Sequence, residues 1–351
     1  MNFNAGAKGN DAVPVRIGTP TTLFSVRGME SVERALAELA VGEVVERCAL
    51  MVQEHMASGG KRVRARLALT AAELLGVDKE SAVAWAVCVE MLHNATLVHD
   101  DLQDGDMLRR GVPTTWVRHG MPQAINTGDL MLMLPFVGID EIETDDAIRW
   151  RLSRAVARRA SEAVRGQSLE MDLLDGLHRD WPTFLRAVHG KTGQLLALPV
   201  EGAALLAGFS AEEAEKLGDE FIVLGEIFQL QDDTRDLYAE KGRGQRGCDL
   251  REGKVSALVI AHLELNPQDG DWLLGVLRTP RDRTSEGDID LAIRAFQDGG
   301  ALASVLARIE RLNLELMDSP QLLRHPAIRM VALDLADWLL ARATSNIDIT
   351  P

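Results

Sequence analysis

Two short acidic motifs contain the residues best suited to chemistry. The strings HDDLQDGD and LQDDTRD each hold a DDxxD pattern, and their aspartates are Asp100, Asp101, Asp104, Asp232, Asp233 and Asp236. Residues four apart on a helix lie one turn above each other, so the outer aspartates of each motif share a face. Like charges stacked at a helix end repel each other and oppose the helix dipole. The pattern therefore predicts a compensating cation, and hard oxygen ligands favour Mg²⁺ that also binds substrate phosphates.

A solvated acidic helix face is the alternative interpretation of such a motif. For one DDxxD the two interpretations are about equally good. Here there are two copies, and each follows an apolar rather than an amphipathic run. Helices that are apolar on all sides are buried ones, so the repeated pattern favours a metal site.

Basic residues lie close to the acidic motifs in the chain. They occur in GGKRVR, LRRGVPT, HGKTGQ and EGKVS, and are Lys61, Arg62, Arg64, Arg109, Arg110, Lys191 and Lys254. Guanidinium groups bind phosphate oxygens through paired hydrogen bonds, which suits a diphosphate beside a metal site. Ordinary surface ion pairs remain the alternative for these cations, and Lys191 and Lys254 are each weak signals alone.

The elements that must position these side chains are predicted to be helices. Apolar residues make up 46% of the 351 residues and aromatic residues only 4%, a mixture that favours helix over sheet. Three- and four-residue apolar spacing predicts helical runs at about 30–57, 62–75, 79–103, 123–138, 145–177, 180–207, 211–239, 253–264, 286–314 and 320–345. No alternation of strand type persists. We therefore predict an all-α, single-domain bundle of about ten or more helices.

The two ends of the chain differ in character. Residues 1–28 carry Gly, Pro and Asn without strong periodicity, so we expect a flexible N-terminal segment followed by one domain over 29–351. Inside the domain, the connection at 240–252 is the most glycine-rich. It follows a carboxylate-rich helix end and is a candidate for phosphate contacts or a lid.

Charge and composition restrict the partners. The formal net charge is −15, so the surface repels phosphate backbones and nucleic acid is not an expected partner. We expect no membrane span, since no run approaches the roughly 20 uncharged apolar residues required. The cysteines Cys48, Cys88 and Cys248 lack CxxC spacing and are interpreted as buried thiols. These features predict a cytoplasmic protein.

Six motifs occur in an order that resembles one known family. GGKRVR, HDDLQDGDMLRRGVPT, GQSLEMD, HGKTG, FQLQDD and DLREGK together resemble the trans-isoprenyl diphosphate synthases, over about residues 30–345. The resemblance implies an all-α fold around a deep central cavity, usually in a homodimer. It also implies condensation of isopentenyl diphosphate with an allylic diphosphate, which is ionised with the help of three Mg²⁺ ions.

The resemblance also implies a role for each matching residue. Asp100, Asp104 and Asp232 resemble direct metal ligands, and Asp101, Asp233 and Asp236 support them or bind through water. The isopentenyl diphosphate pocket is implied to contain Lys61, Arg64, His93 and Arg110. The clamp on the allylic diphosphate is implied to contain Arg109, Lys191 and Lys254. Thr192 and Gln229 are expected near the developing carbocation, while Gln167 and Asp172 are expected to line the metal site.

Two positions depart from the family pattern. Ala65 replaces a common Pro, which is a minor backbone difference. The glycine-rich loop commonly carries Lys before GxD, and here Gln245 precedes Arg246. Arg243 or Arg246 is a candidate substitute, and we expect activity to survive.

Product length is predicted from the helix that precedes the first motif. The position five before Asp100 is Ala95, beside Thr96, and neither is the large aromatic found in members that stop early. Deeper positions are Leu92, Met91 and Cys88, with Trp85 as a floor. This predicts a product of twenty carbons or more, rather than fifteen. The alternative is that Ala95 only eases helix packing and another wall sets the length.

Other functions remain open at this level. A farnesyl diphosphate synthase differs only in product length. A class I terpene cyclase shares metal-triggered ionisation but guides cations with aromatic faces, which are scarce here. A non-catalytic partner subunit of a synthase usually has damaged aspartate motifs, and transfer to an aromatic acceptor would not need Lys61, Arg64 and Arg110.

Overall fold

Helices form almost all of the ordered backbone. The structure, a computed structural model, describes residues 26–41, 46–176, 178–238 and 246–344. Within them the α-helices are α1 Met29–Val41, α2 Arg47–Ala57, α3 Val63–Leu74, α4 Lys79–Gln103, α5 Thr115–His119, α6 Met121–Asp140, α7 Asp146–Asp172, α8 Trp181–Val188, α9 Gln194–Leu206, α10 Ala211–Asp219, α11 Ile222–Tyr238, α12 Cys248–Arg251, α13 Ala257–Leu265, α14 Gly270–Leu277, α15 Glu286–Asp298, α16 Ala301–Met317, α17 Pro320–Arg324 and α18 Pro326–Thr344. The all-α prediction is confirmed. Most of the predicted N-terminal segment, and the positions Arg243 and Gln245, lie outside the described residues.

Local sequence signals explain where several helices begin. The Asp78 side chain accepts a hydrogen bond from the Ser81 amide (2.8 Å) and starts α4. Asp145 does the same for the Ile148 amide (2.7 Å) at the start of α7. Such caps satisfy backbone N–H groups that have no partner inside the helix. The two longest helices thus begin at positions that the sequence specifies.

Five predicted helices are interrupted in the structure, among them the run at 30–57, which forms α1 and α2, and the run at 211–239, which forms α10 and α11. The run predicted at 286–314 is divided into α15 and α16 by Gly300, whose φ of +80° lies in the left-handed region. The run at 320–345 is divided before Pro326, because proline disfavours helical backbone in the preceding residue. The run at 180–207 contains a π-helical turn at His189–Gly193 between α8 and α9.

A short hairpin follows the first acidic motif. Strands β1 Leu108–Arg109 and β2 Val112–Pro113 pair antiparallel, although sequence periodicity indicated no strand. The turn residues Arg110 and Gly111 both have positive φ, of 55° and 82°. This is the turn that matches the twist of a two-residue hairpin. The hairpin holds two successive arginines in defined positions next to α4.

The core is organised around α4. This helix is long and apolar enough to cross a membrane, but 72% of its most apolar window is buried inside the protein. It packs mainly against α6 and α3, and also against α1 and α9, which explains an apolar surface on every side. Trp85, Met91 and Leu92 are fully buried. The first acidic motif therefore stands at the end of a helix that is packed on all sides.

Candidate active site

One large cleft receives both acidic motifs. It has a volume of about 2040 Å³, whereas pockets for small ligands usually measure about 300–1,000 Å³. Asp100 reaches it from α4, and Asp232, Asp233 and Asp236 reach it from α11. The two motifs are 128 to 136 positions apart in the chain, yet they line one cavity. The convergence expected from the sequence is therefore present.

The aspartates of the first motif have different surroundings. Asp100 faces the cleft, and burial raises its pKa to about 6, while nearby Lys191 opposes that shift. Asp104 lies one turn further on, and its Oδ2 is 3.1 Å from Lys254 Nζ. Asp101 is turned away, only 1% exposed, and held by the Arg109 guanidinium. Its second oxygen, Oδ2, has no hydrogen-bond partner. Of this motif, Asp100 lines the cleft and Asp104 contacts the lining residue Lys254, whereas Asp101 is directed away from it.

The second motif shows a similar division. Asp233 Oδ2 accepts a hydrogen bond from the Ala257 amide (2.7 Å) at the start of α13. Asp236 accepts hydrogen bonds from the Cys248 and Asp249 amides, at 3.0 and 3.1 Å, at the start of α12. Asp232 is exposed in the cleft. Asp233 and Asp236 thus hold neighbouring segments in place, whereas Asp232 is open to the cleft.

Burial also affects the protonation of this group. It raises the pKa of Asp233 and Asp236, and neighbouring Asp232 adds to both shifts. The pKa of Asp249, which lies among them, is raised well above its usual value, first by burial and then by Asp233 and Asp236. A concentration of like charge at a partly buried site is unfavourable unless cations neutralise it. This concentration of negative charge is consistent with the bound cation that the motif spacing predicts.

The donor set can be compared with the needs of a metal ion. Among the described residues, no group of three or more His, Cys, Asp or Glu side chains is arranged to hold a metal alone. Asp100 and Asp232 instead offer carboxylates from two walls of the cleft, and Asp104 contacts Lys254, which also lines it. Mg²⁺ is commonly held by one or two carboxylates together with water and substrate phosphates. The residues fit Mg²⁺ bound jointly with a diphosphate.

Lys191 is positioned by a close packing of helices. It lies in the π-helical turn, a feature often found at functional sites. A Cβ on Gly166 of α7 would lie 2.2 Å from the Lys191 backbone nitrogen, so only glycine permits this approach. The Lys191 ammonium contacts the Glu170 carboxylate, and Thr192 beside it also lines the cleft. Backbone contact between α7 and the turn thus fixes a cation opposite Asp100.

A second group of cations occupies another part of the cleft. Arg64 Nη1 donates a hydrogen bond to His93 Nε2 (2.9 Å), because burial and nearby arginines lower the pKa of His93 and keep it neutral. Lys61 Nζ lies 5.1 Å from the ring centroid of Trp338 on α18. The Arg110 guanidinium packs against Gly60, where a Cβ would be 2.7 Å away. The residues predicted for the isopentenyl diphosphate pocket therefore line one cavity.

The remaining predicted polar residues also line the cleft. Gln229 Nε2 donates a hydrogen bond to Asp233 Oδ1 (2.7 Å), and Gln167 Nε2 donates one to Gln103 Oε1 (2.8 Å). Asp172 lines the cleft near the end of α7. Arg246 lines it too, but its guanidinium contacts Asp290.

The predicted product-length residues need correction. Ala95, Leu92, Cys88 and Trp85 are fully buried and do not line the cleft; Met91 is buried in the same way. Five residues along a helix rotate the side chain by about 500°, which places Ala95 about 140° away from Asp100. The cleft face of α4 instead presents His93, Thr96, Leu97 and Asp100. Of the predicted set, only Thr96 lies on the cleft wall.

Several charged residues of the cleft were missed. They are Glu90, Asp106, Glu170, Arg235, Asp249, Glu252 and Arg281. Glu170 could have been found, because it lies three residues after Gln167 and so shares its helix face. Glu90 is buried and accepts a hydrogen bond from the Ala65 amide at the start of α3 (3.2 Å). Nothing local in the sequence indicates that a carboxylate of α4 supports another helix.

Known proteins with similar sequences are prenyl diphosphate synthases. A geranylgeranyl diphosphate synthase of Methanosarcina mazei is 31% identical over 287 residues, covering 81% of this chain and 86% of the relative. A geranylfarnesyl diphosphate synthase of Natronomonas pharaonis is 28% identical over 335 residues, covering 90% and 95%.

The fold is shared with solved structures as well. A polyprenyl synthase from Caulobacter crescentus, complexed with calcium and isoprenyl diphosphate, superposes with a TM-score of 0.78 at 26% identity, covering 94% of this chain and 100% of that one. The model of the polyprenyl synthetase family matches residues 45–296. The chain therefore belongs to the polyprenyl synthetase family of trans-isoprenyl diphosphate synthases.

Proposed function

We propose that this enzyme condenses isopentenyl diphosphate with an allylic diphosphate and releases a linear trans-polyprenyl diphosphate of twenty carbons or more. The observation that carries the proposal is the meeting of both DDxxD motifs in one cleft that also holds two groups of cations. One diphosphate would need one such group. Two groups suit a donor and an acceptor that each carry a diphosphate.

The donor diphosphate is assigned to the acidic end of the cleft. Magnesium held by Asp100, Asp104 and Asp232 would supply Lewis-acid stabilisation of the leaving group, with three ions as the expected number. Lys191 and Lys254 lie beside these carboxylates, paired with Glu170 and with Asp104 in the structure. Each ammonium is already in place when charge develops on the departing diphosphate. Fixed cations of this kind need no reorganisation during the reaction.

The acceptor is assigned to the second group of cations, around Arg64 and Arg110. Since His93 is neutral, its hydrogen bond orients Arg64 without repelling it. Thr192 and Gln229 line the cleft and are assigned to stabilise the positive charge that develops on the allylic carbon. The proton that leaves after carbon–carbon bond formation is assigned to the released diphosphate.

We also propose a homodimer formed through α6 and α7. Exposed apolar side chains on α6 lie at multiples of four residues, at Met121, Ile125, Met133 and Val137, and α7 carries exposed Trp150; each is 46–65% exposed. Such a row of exposed apolar side chains is typical of an interface. Native mass spectrometry should give twice the chain mass. Val137→Glu should reduce it to a monomer, and a monomeric wild type would contradict the assignment.

Product length is assigned to the apolar wall away from the acidic motifs. Leu97, Leu132, Ala163 and Leu196 line the cleft, as do the aromatic side chains of Phe184 and Phe228. The large volume and the geranylgeranyl and geranylfarnesyl names of the relatives support a long product.

The test is incubation with Mg²⁺, isopentenyl diphosphate and, in separate reactions, dimethylallyl, geranyl or farnesyl diphosphate. We expect diphosphate release that depends on both substrates, and mass spectrometry of the dephosphorylated products should show twenty carbons or more. Diphosphate release without isopentenyl diphosphate would indicate a cyclase. No release from the isolated chain would indicate a partner subunit, and products that end at fifteen carbons would refute the length assignment.

A further inference from the structure

An arginine outside all the motifs faces the acidic end of the cleft. Arg281 lies in the segment between α14 and α15, and its side chain lines the cavity. Its Nη1 is 2.9 Å from Glu252 Oε1, while Glu252 Oε2 is 3.0 Å from Lys254 Nζ. Lys254 Nζ is also 3.1 Å from Asp104 Oδ2. One carboxylate therefore connects Arg281 to the cation that lies against the first acidic motif.

The pair between Arg281 and Glu252 differs from an ordinary surface ion pair in the exposure of its carboxylate. The Glu252 side chain is only 14% exposed, while that of Arg281 is 55% exposed and open to the cavity. A guanidinium has five donors in a planar fork, and one contact with a carboxylate oxygen uses only part of that capacity. A second anion in the cleft can therefore be bound by the same side chain.

We propose that Arg281 binds the allylic diphosphate together with Lys254, and that Glu252 occupies both cations only until the substrate replaces it. The inference rests on the proposed function and adds a binding residue that no motif identifies. The diphosphate takes the place of Glu252 as the partner of the two cations. Arg281 then reaches the phosphate from the wall opposite Lys191.

The test uses a matched control in the same segment. Arg278 is equally exposed at 55%, pairs with Asp175 at 3.6 Å, and does not line the cleft. Arg281→Ala should raise KM for farnesyl diphosphate by about tenfold or more and leave KM for isopentenyl diphosphate unchanged. Arg278→Ala should leave both constants unchanged. Arg281→Lys keeps the charge but not the fork, and should fall between Arg281→Ala and the wild type.

Two further measurements exclude a purely structural ion pair. Glu252→Gln removes the carboxylate that competes with the diphosphate, so KM for farnesyl diphosphate should stay level or fall. A structural pair would instead give losses of the same sign in Arg281→Ala and Glu252→Gln, with lower Tm values in both. Calorimetric titration of the intact enzyme with inorganic diphosphate and Mg²⁺ should show weaker binding for Arg281→Ala.

The titration is independent of turnover, so an enzyme with no prenyl transfer would refute the proposed function while leaving Arg281 testable. Equal diphosphate affinity in Arg281→Ala, Arg278→Ala and the wild type would overturn the assignment.

Discussion

Gly166→Ala tests whether close backbone packing holds Lys191 in the cleft. The added Cβ would lie 2.2 Å from the Lys191 nitrogen and 2.6 Å from the Ala187 carbonyl oxygen. Both are backbone atoms, so no flexible side chain can move aside, and α7 must separate from the π-helical turn. Overpacking of this kind costs about 1–3 kcal/mol of the free energy of unfolding. In a helix interior, alanine would otherwise gain roughly 1 kcal/mol over glycine.

The matched control is Gly275→Ala on α14. No atom lies within 4 Å of a Cβ at this position, and its φ is outside the left-handed region. The control should therefore raise the free energy of unfolding by about 0.4–1 kcal/mol. The two substitutions are identical in chemistry and should have opposite signs.

Activity gives a second measurement on the same variants. A displacement of a catalytic group by about 1 Å can reduce the rate roughly 100-fold. The separation of α7 from the turn moves Lys191, so Gly166→Ala should lose most of its turnover while Gly275→Ala keeps it. Urea unfolding followed by circular dichroism gives the stabilities, and diphosphate release gives the rates. If Gly166→Ala were as stable and as active as Gly275→Ala, the packing argument would be refuted.

Three other outcomes follow from the structure. Leu97→Phe should shorten the product, whereas Ala95→Phe should lower Tm without shortening it, because only Leu97 lines the cleft. Mass spectrometry of the products and thermal unfolding test this, and a shorter product from Ala95→Phe but not from Leu97→Phe would contradict it. Arg109→Ala leaves the Asp101 carboxylate buried without its partner and should cost about 3–5 kcal/mol in urea unfolding, and a loss below 1 kcal/mol would contradict this. Burial and the nearby arginines lower the pKa of His55 from 6.5 to about 3. Between these pH values His55 is protonated in the unfolded chain but not in the folded chain, so the free energy of unfolding should fall as the pH drops from 6.5 toward 3. Unfolding at pH 7 and pH 5 should show a smaller loss of stability for His55→Gln than for the wild type.

The sequence was sufficient for the fold class and for most of the motif residues that line the cleft. Apolar runs that end in DDxxD identified α4 and α11, since a helix buried on all sides must lack polar residues until it reaches a cavity. Cations within a few residues of a motif were found because a diphosphate bound beside a metal site needs basic partners. Local signals thus located Asp100, Asp232 and Arg110.

The sequence was insufficient where positions depend on contacts between distant segments. The roles of Asp233 and Asp236 depend on amides of α13 and α12, which no local pattern reveals. The π-helical turn around Lys191 arises from contact with α7. The cavity face of α4 was assigned one residue out of phase, and an error of one residue rotates a helical side chain by about 100°. Ala95 was misplaced for that reason.

If Asp104 binds Mg²⁺ and Lys254 binds a phosphate, as proposed, their ion pair should make the two binding events cooperative. While the pair is intact, the ammonium and the carboxylate satisfy each other across the cleft. A divalent ion that takes Asp104 frees Lys254 for a phosphate, and a phosphate that takes Lys254 frees Asp104 for the ion. Thermodynamic linkage makes this assistance equal in both directions. Such an enzyme would bind the divalent ion alone or the diphosphate alone more weakly than it binds the two together.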